Sequence, residues 1–186
     1  MKSIGIGAVA LAASLCLSAS AGERAWYFGI EGGAEFAGDY GNNSGYGVSS
    51  AGSAVFATIG RKFGTRISLE GELGYRSADV NLYSPGTINQ ISGMVNGVYE
   101  APLTEEISLS VGAGIGVDQV EVKDSYYGFA YSISEIELAA QLKFGLTLAL
   151  DESIAVTTNY RVMTTFVENG TGIDNNTLTV GLRIAF

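Results

Sequence analysis

Apolar and polar residues alternate along most of the chain beyond its first 25 positions. Between residues 138 and 148 the even positions are apolar and the odd positions are polar or small, so that Leu142 and Phe144 flank Lys143. Successive side chains of a β-strand point to opposite faces of the sheet, whereas a helix repeats every 3.6 residues. The pattern therefore predicts strands with one apolar face and one polar face.

Eight segments share this period of two. They are predicted as strands at residues 26–36, 51–62, 67–76, 90–100, 107–118, 138–148, 154–163 and 177–186. The alternation is weakest in the second and fourth of them. Short breaks and longer polar stretches follow one another between the strands. The short breaks are at 63–65, 101–105 and 151–153, and the long stretches are at 37–50, 77–89, 123–133 and 167–175. Short and long connections in turn are typical of an up-and-down antiparallel barrel.

The amino terminus has the features of an export signal. Lys2 supplies a positive charge, residues 4–17 form an apolar stretch, and Ala19-Ser20-Ala21 gives a small-residue cleavage pattern. A membrane-spanning helix needs about 20 apolar residues, so a retained anchor is the less favoured alternative. We therefore predict a signal peptide at residues 1–21, cleaved after Ala21 on the way through the periplasm, and one barrel domain at residues 22–186.

The apolar face of such a barrel points either into a core or out into lipid. The polar face is rich in Gly, Ser, Thr and Ala and holds few charged residues, which suits a narrow interior better than a solvated surface. Aromatic residues such as Trp26, Tyr99 and Phe186 stand near strand ends, as in interfacial girdles. These features predict an all-β fold, an eight-stranded antiparallel transmembrane barrel, and disfavour a soluble lipocalin-like carrier.

Several short motifs carry a family resemblance. They are the glycine-rich run at residues 111–116, Asn96 with Tyr99, the Asn-Tyr-Arg sequence at 159–161, and the terminal Phe186. With them the chain resembles the small eight-stranded outer-membrane barrels, the OmpA-type transmembrane domain and its opacity-protein relatives. Arg61 and Val162 stand where relatives often have aromatic residues, which leaves the subfamily open.

The resemblance also extends to the carboxyl terminus. Gly181, Ile184 and Phe186 resemble the terminal sorting signal that outer-membrane barrels present to the insertion machinery. The resemblance implies localisation in the outer membrane, with that machinery, outer-membrane lipid and lipopolysaccharide as partners.

Composition excludes several classes of chemistry. The chain has no His and a single Cys, so it lacks the commonest general base, the commonest metal ligand and any disulfide. Its formal charge of −9 disfavours nucleic acid as a partner. We predict a protein that is not an enzyme and that has no catalytic residue, cofactor or metal site.

Charged residues on the polar face are predicted to form a structural network inside the barrel, because buried charges must be paired. The predicted members are Glu31, Glu35, Glu70, Glu72, Glu137, Lys143, Arg161 and Arg183. Closure places the first strand beside the eighth, so Glu31 and Arg183 are expected to be neighbours. Glu72 is expected to reach Lys143 or Arg161 across the interior.

The long connections are the remaining candidates for function. The third carries four aromatic residues suited to protein or glycan contacts, Tyr126, Tyr127, Phe129 and Tyr131. The expected role is structural support of the envelope or surface adhesion to a host or environmental ligand. A narrow channel for ions or small solutes is the alternative.

Overall fold

The computed structural model describes residues 25–40, 51–81, 85–126, 129–166 and 172–186. The predicted signal peptide lies outside these residues. The described chain forms a closed antiparallel barrel of eight strands in sequence order. The strands are β1 (Trp26–Tyr40), β2 (Ala51–Phe63), β3 (Ile67–Asn81), β4 (Pro85–Pro102), β5 (Ile107–Tyr126), β6 (Phe129–Ala149), β7 (Ile154–Phe166) and β8 (Gly172–Ala185). No helix in the described part of the chain is long and apolar enough to cross a membrane.

Pairing between the first and last strands closes the sheet. Ile30 of β1 lies opposite Ala57 of β2 on one side and opposite Leu182 of β8 on the other. At the seam, Phe186 N–H donates to Trp26 O at 2.8 Å, and Trp26 N–H donates to Phe186 O at 3.3 Å. Each strand therefore has two hydrogen-bonded neighbours, as a spanning sheet requires in hydrocarbon.

The two faces of the barrel are opposite in character to those of a soluble protein. Lys143 is buried in the interior, whereas Leu142 and Phe144 on either side of it are exposed on the outer surface. The same holds for Arg183 between Leu182 and Ile184. An apolar exterior around a polar interior is the arrangement that lipid stabilises.

The weak alternation of β2 and β4 has a simple cause. Phe56 of β2 and Met94 and Val98 of β4 are buried in the interior, although both strands also carry apolar residues on their outer face. Both faces of these two strands are therefore partly apolar, and the period of two is hard to read from sequence.

Three tight turns lie at one end of the barrel, here called the short-turn end, together with Ala25 and Phe186. The β2–β3 turn uses Gly64 at a φ of +70°, a conformation that favours glycine. In the β6–β7 turn, Asp151 Oδ1 accepts hydrogen bonds from the backbone N–H of Ser153 at 2.6 Å and of Ile154 at 2.9 Å. These contacts explain why the breaks predicted from sequence are real and short.

At the other end the strands run further than expected. The predicted connection at 77–89 is largely strand, because β3 extends to Asn81 and β4 begins at Pro85. The predicted loop at 123–133 is also wrong: β5 and β6 stay paired until Tyr126 lies opposite Phe129. Backbone hydrogen bonding continues beyond the apolar belt, so the polar composition of these two segments does not indicate irregular structure.

Candidate functional site

The centre of the barrel interior is organised by one guanidinium group. Arg161 Nη2 lies 2.8 Å from Glu31 Oε2 and 2.9 Å from Glu72 Oε2, and Arg161 Nη1 donates to Thr179 Oγ1 at 2.8 Å. Arg161 and Glu72 are at most 2% exposed. One cation from β7 therefore joins carboxylates from β1 and β3 and ties distant walls of the barrel together.

A second cation lies between the centre and the short-turn end. Lys143 Nζ donates to Glu70 Oε2 and lies 3.6 Å from Glu72 Oε2. Tyr27 OH donates to the other oxygen of Glu70 at 2.7 Å. The Tyr27 ring packs against Gly60, where a Cβ atom would collide with it.

At the short-turn end, Arg183 pairs with Glu100, and Lys62 Nζ lies 3.2 Å from Glu100 Oε2. The expected Glu31–Arg183 pair is wrong. Arg183 lies opposite Gly29, whereas Glu31 lies opposite Gly181, so Arg183 is two residues nearer this end. Glu31 pairs with Arg161 instead.

A third group lies toward the opposite end. Arg76 Nη2 is 3.0 Å from Asp118 Oδ1, and Thr165 Oγ1 donates to Asp118 Oδ2 at 3.0 Å. The predicted list omits Asp118 and Glu100. Strand parity could have found both, since each has the same parity as the buried positions of its strand.

Two predicted members behave differently. Glu137 has the interior parity but is half-buried, near the end of the belt. Glu35 is 2% exposed and forms no ion pair with any described side chain, although Arg76 and Asp118 lie within electrostatic reach. Glu35 is therefore a buried carboxylate with little compensation.

The paired residues are called the interior charge network below. They are Glu31, Glu70, Glu72, Glu100, Asp118, Arg76, Lys143, Arg161 and Arg183. Glu70 and Glu72, two acids of β3 that point into the interior, are paired with Lys143 and Arg161. In the described part of the chain, no three acids, Cys or His come together in a way that would hold a metal ion. The network links strands that are not neighbours in the sheet.

The predicted surface aromatics fall at the tip of the β5–β6 hairpin. Tyr126 lies opposite Phe129, and Tyr131 lies opposite Asp124. Tyr127 lies outside the described residues. The predicted terminal residues are at the seam: Ile184 and Phe186 are exposed on the outer surface, while a Cβ at Gly181 would strike the β1 backbone at Ile30.

Comparison with solved structures finds small membrane barrels. Neisserial surface protein A has a TM-score of 0.67 at 12% identity, over 87% of this chain and 97% of that chain. Ail, the attachment invasion locus protein of Yersinia pestis, solved with the heparin analogue sucrose octasulfate, has a TM-score of 0.59 at 15% identity, over 87% and 97%. OprG, an outer membrane protein of Pseudomonas aeruginosa, has a TM-score of 0.56 at 13% identity, over 89% and 98%. At such identities the likeness concerns the fold alone.

Sequence comparison is consistent with this fold. No curated protein has significant sequence similarity to the chain. The family model of the outer membrane protein β-barrel domain, in contrast, matches residues 7–186, nearly the whole chain. The chain belongs to this family, and it is an integral β-barrel protein of the outer membrane.

Proposed function

We propose that this barrel is a non-enzymatic surface protein whose β5–β6 hairpin contacts protein ligands outside the cell. With this hairpin outside the cell, the short-turn end at the opposite end of the barrel faces the periplasm. Support comes from the three tight turns, which share one end with Ala25 and Phe186, since outer-membrane barrels have short periplasmic turns and longer external connections.

The length of the β5–β6 hairpin is the observation that carries the proposal. β5 has 20 residues and β6 has 21, whereas crossing a bilayer takes about 9–11 residues in a tilted strand. Each strand therefore continues for about ten residues beyond the hydrocarbon, at roughly 3.4 Å per residue. The paired strands would then carry the positions of Tyr126, Phe129 and Tyr131 beyond the membrane on the external side.

Charge narrows the class of ligand. The strand ends and connections on the proposed external side carry eight acids and one base. The acids are Asp39, Asp79, Glu121, Asp124, Glu135, Glu137, Glu168 and Asp174, and the base is Lys123. A negative surface favours a ligand with basic residues and repels polyanions. Binding of a sulfated glycan, the kind of ligand seen with Ail, is therefore not expected here.

The same acids can also interact with the lipopolysaccharide of the surrounding membrane through divalent cations. We expect them to share the divalent cations that bridge lipopolysaccharide phosphates, since carboxylate oxygens are ligands of Ca²⁺ and Mg²⁺. Lipopolysaccharide would then be a partner through metal bridges rather than through direct ion pairs.

The interior argues against a channel as the main role. Arg161, Glu31 and Glu72 cross the centre, and Arg183 with Glu100 occupies the short-turn end. The interior of an eight-stranded barrel is narrow enough to be filled by the side chains of its own strands. Support of the envelope by a stable barrel is compatible with this arrangement.

Adhesion of intact cells that express the full chain tests the proposal. Wells are coated with fibronectin, laminin, collagen or heparin, and Tyr126, Tyr127, Phe129 and Tyr131 are all replaced by Ser. Binding to a protein coat that the variant loses, with no binding to heparin, would support the proposal. The control is the S132A/S134A variant, which alters the same hairpin and keeps its aromatics. Adhesion to heparin alone, no adhesion at all, or adhesion unchanged in the aromatic variant would overturn it.

A further inference from the structure

A groove interrupts the apolar outer surface near the short-turn end. Its floor is the cross-strand pair Gly97 and Ala113, and its walls include Ile67, Tyr99, Leu142 and Phe144. The space is about 430 Å³ and its lining is almost wholly apolar. The groove exists because β4 places glycine between large outward residues, and a Cβ at Gly97 would meet nothing within 4 Å.

One end of the groove is marked by a cation. Arg66, the last residue of the β2–β3 turn, donates from Nη1 to Tyr99 OH at 3.2 Å. Arg66 is exposed and forms no ion pair with a carboxylate in the described part of the chain. An apolar groove thus ends at a hydroxyl and a guanidinium whose charge is not neutralised by the protein.

Charge is unevenly distributed around the short-turn end. The β4–β5 turn carries Glu105 and Glu106, and the β6–β7 turn carries Asp151 and Glu152, with no base in either. Of the three described turns at this end, the β2–β3 turn is the one with a base. The acidic β4–β5 turn joins the two strands of the groove floor, and the β2–β3 turn meets the groove at Tyr99. An anionic group at this end of the groove is therefore repelled from the β4–β5 turn and attracted to Arg66.

We propose that this groove binds one phospholipid of the periplasmic leaflet, with an acyl chain over Gly97 and Ala113 and the headgroup phosphate at Arg66. Guanidinium groups bind phosphate oxygens through two parallel hydrogen bonds, and interfacial tyrosine sits at headgroup depth. The positive charge of Arg66 favours an anionic headgroup. The assignment to this leaflet rests on the proposed orientation, whereas lipid binding itself depends on neither the orientation nor adhesion.

Native mass spectrometry of the refolded mature barrel tests the proposal. The barrel is released from detergent micelles that contain phosphatidylglycerol, or phosphatidylcholine with the same acyl chains. One phosphatidylglycerol molecule should be retained in preference. The substitution Arg66→Gln should lower its affinity about tenfold, as expected for loss of a hydrogen bond between charged groups. Arg61→Gln, which removes an equal charge from the same end but away from the groove, is the matched control.

Binding of the acyl chain in the groove is tested by a separate set of variants. Gly97→Leu should fill the groove and abolish retention, whereas Gly93→Leu, outward on the same strand but beyond the groove, should not. Ala113→Leu serves if Gly97→Leu fails to fold, which loss of heat-modifiable gel mobility would reveal. Glycerophosphoglycerol, which has the headgroup without chains, should not compete.

Four results would overturn the proposal. They are equal retention in all variants, equal loss in the control variants, competition by glycerophosphoglycerol, and a dimer that Gly97→Leu dissociates. The last result would assign the groove to a second copy of the chain.

Discussion

Arg161 and Glu72 meet across the barrel interior, with Arg161 Nη2 and Nε at 2.9 and 3.2 Å from the same carboxylate oxygen. Neither side chain has water to replace its partner, because Arg161 and Glu72 are 1% and 2% exposed. The pair joins β7 to β3, strands that are not neighbours in the sheet. Stability of the barrel should therefore depend on it more than on any single outward residue.

Replacing Arg161 by Gln should destabilise the barrel strongly. The change leaves Glu31 and Glu72 buried without their cation, and breaking one side of a buried pair typically costs about 3–5 kcal/mol. Urea unfolding in lipid vesicles, followed by the fluorescence of Trp26, measures the loss. Leu182→Ala is the control and should cost less, since lipid fills the gap left at an outward position. An unchanged urea midpoint for Arg161→Gln would contradict the conclusion that Arg161 stabilises the barrel.

Glu35→Gln should leave the free energy of unfolding unchanged or raise it. Glu35 is as buried as Glu72 but has no ion pair with a described side chain, so its charge costs desolvation energy without a matching gain. The same measurement on Glu72→Gln should show a clear loss, because Arg161 and Lys143 would each lose a partner. Equal losses for the two variants would show that Glu35 is compensated.

The purified wild-type barrel should show no discrete conductance in planar bilayers. The interior charge network crosses the centre at Arg161 and closes the short-turn end at Arg183 and Glu100. Single-channel recording checks this over a range of voltages. Regular, reproducible current steps would favour the alternative of a narrow channel over an adhesive or structural role.

Orientation can be read from thiol labelling of intact cells. Cysteine at Asn42 or Asn169, in the long connections, should react with a membrane-impermeant maleimide. Cysteine at Thr65 or Glu152, in the short turns, should react after the outer membrane is permeabilised. Thr65 is used rather than its neighbour Gly64, whose positive φ would strain any side chain. Labelling of Thr65→Cys on intact cells would reverse the proposed orientation.

Deletion of Phe186 should reduce the amount of protein in the outer membrane much more than it reduces stability in detergent. The backbone pair between Phe186 and Trp26 is one ladder step of the seam, whereas the terminal aromatic is the expected signal for the insertion machinery. Quantitative fractionation of cells and refolding of the purified variant measure the two effects separately. Normal outer-membrane levels without Phe186 would remove the sorting role.

Sequence alternation predicted the class of fold, because the period of two depends on local geometry alone. It predicted that Glu72 reaches Lys143 or Arg161 across the interior, and Glu72 Oε2 lies near both cations. It was wrong about Glu31 and Arg183, because their relation depends on the stagger between β1 and β8. That stagger is a property of the closed sheet and not of either strand.

The extent of the strands was also underestimated, and for a different reason. Val120 and Val122 still alternate with Glu121 and Lys123, but their composition is that of a polar connection. Hydrogen bonding between β5 and β6 persists there because each strand already has a partner held in register by the barrel below. The apolar composition of a strand ends where the membrane ends, whereas the hydrogen bonding between β5 and β6 continues beyond the membrane.

The hydrogen-bonded pair of Trp26 and Phe186 makes the start of β1 and the end of β8 neighbours, so the seam between these strands resembles any other junction of the sheet. A short linker could join the end of β8 to the start of β1, and new termini could be opened at the β6–β7 turn, without moving a strand. Such a circular permutant would keep every barrel contact and move the terminal aromatic to the interior of the chain. It would separate what the insertion machinery reads as position along the polypeptide from what the finished barrel needs as structure.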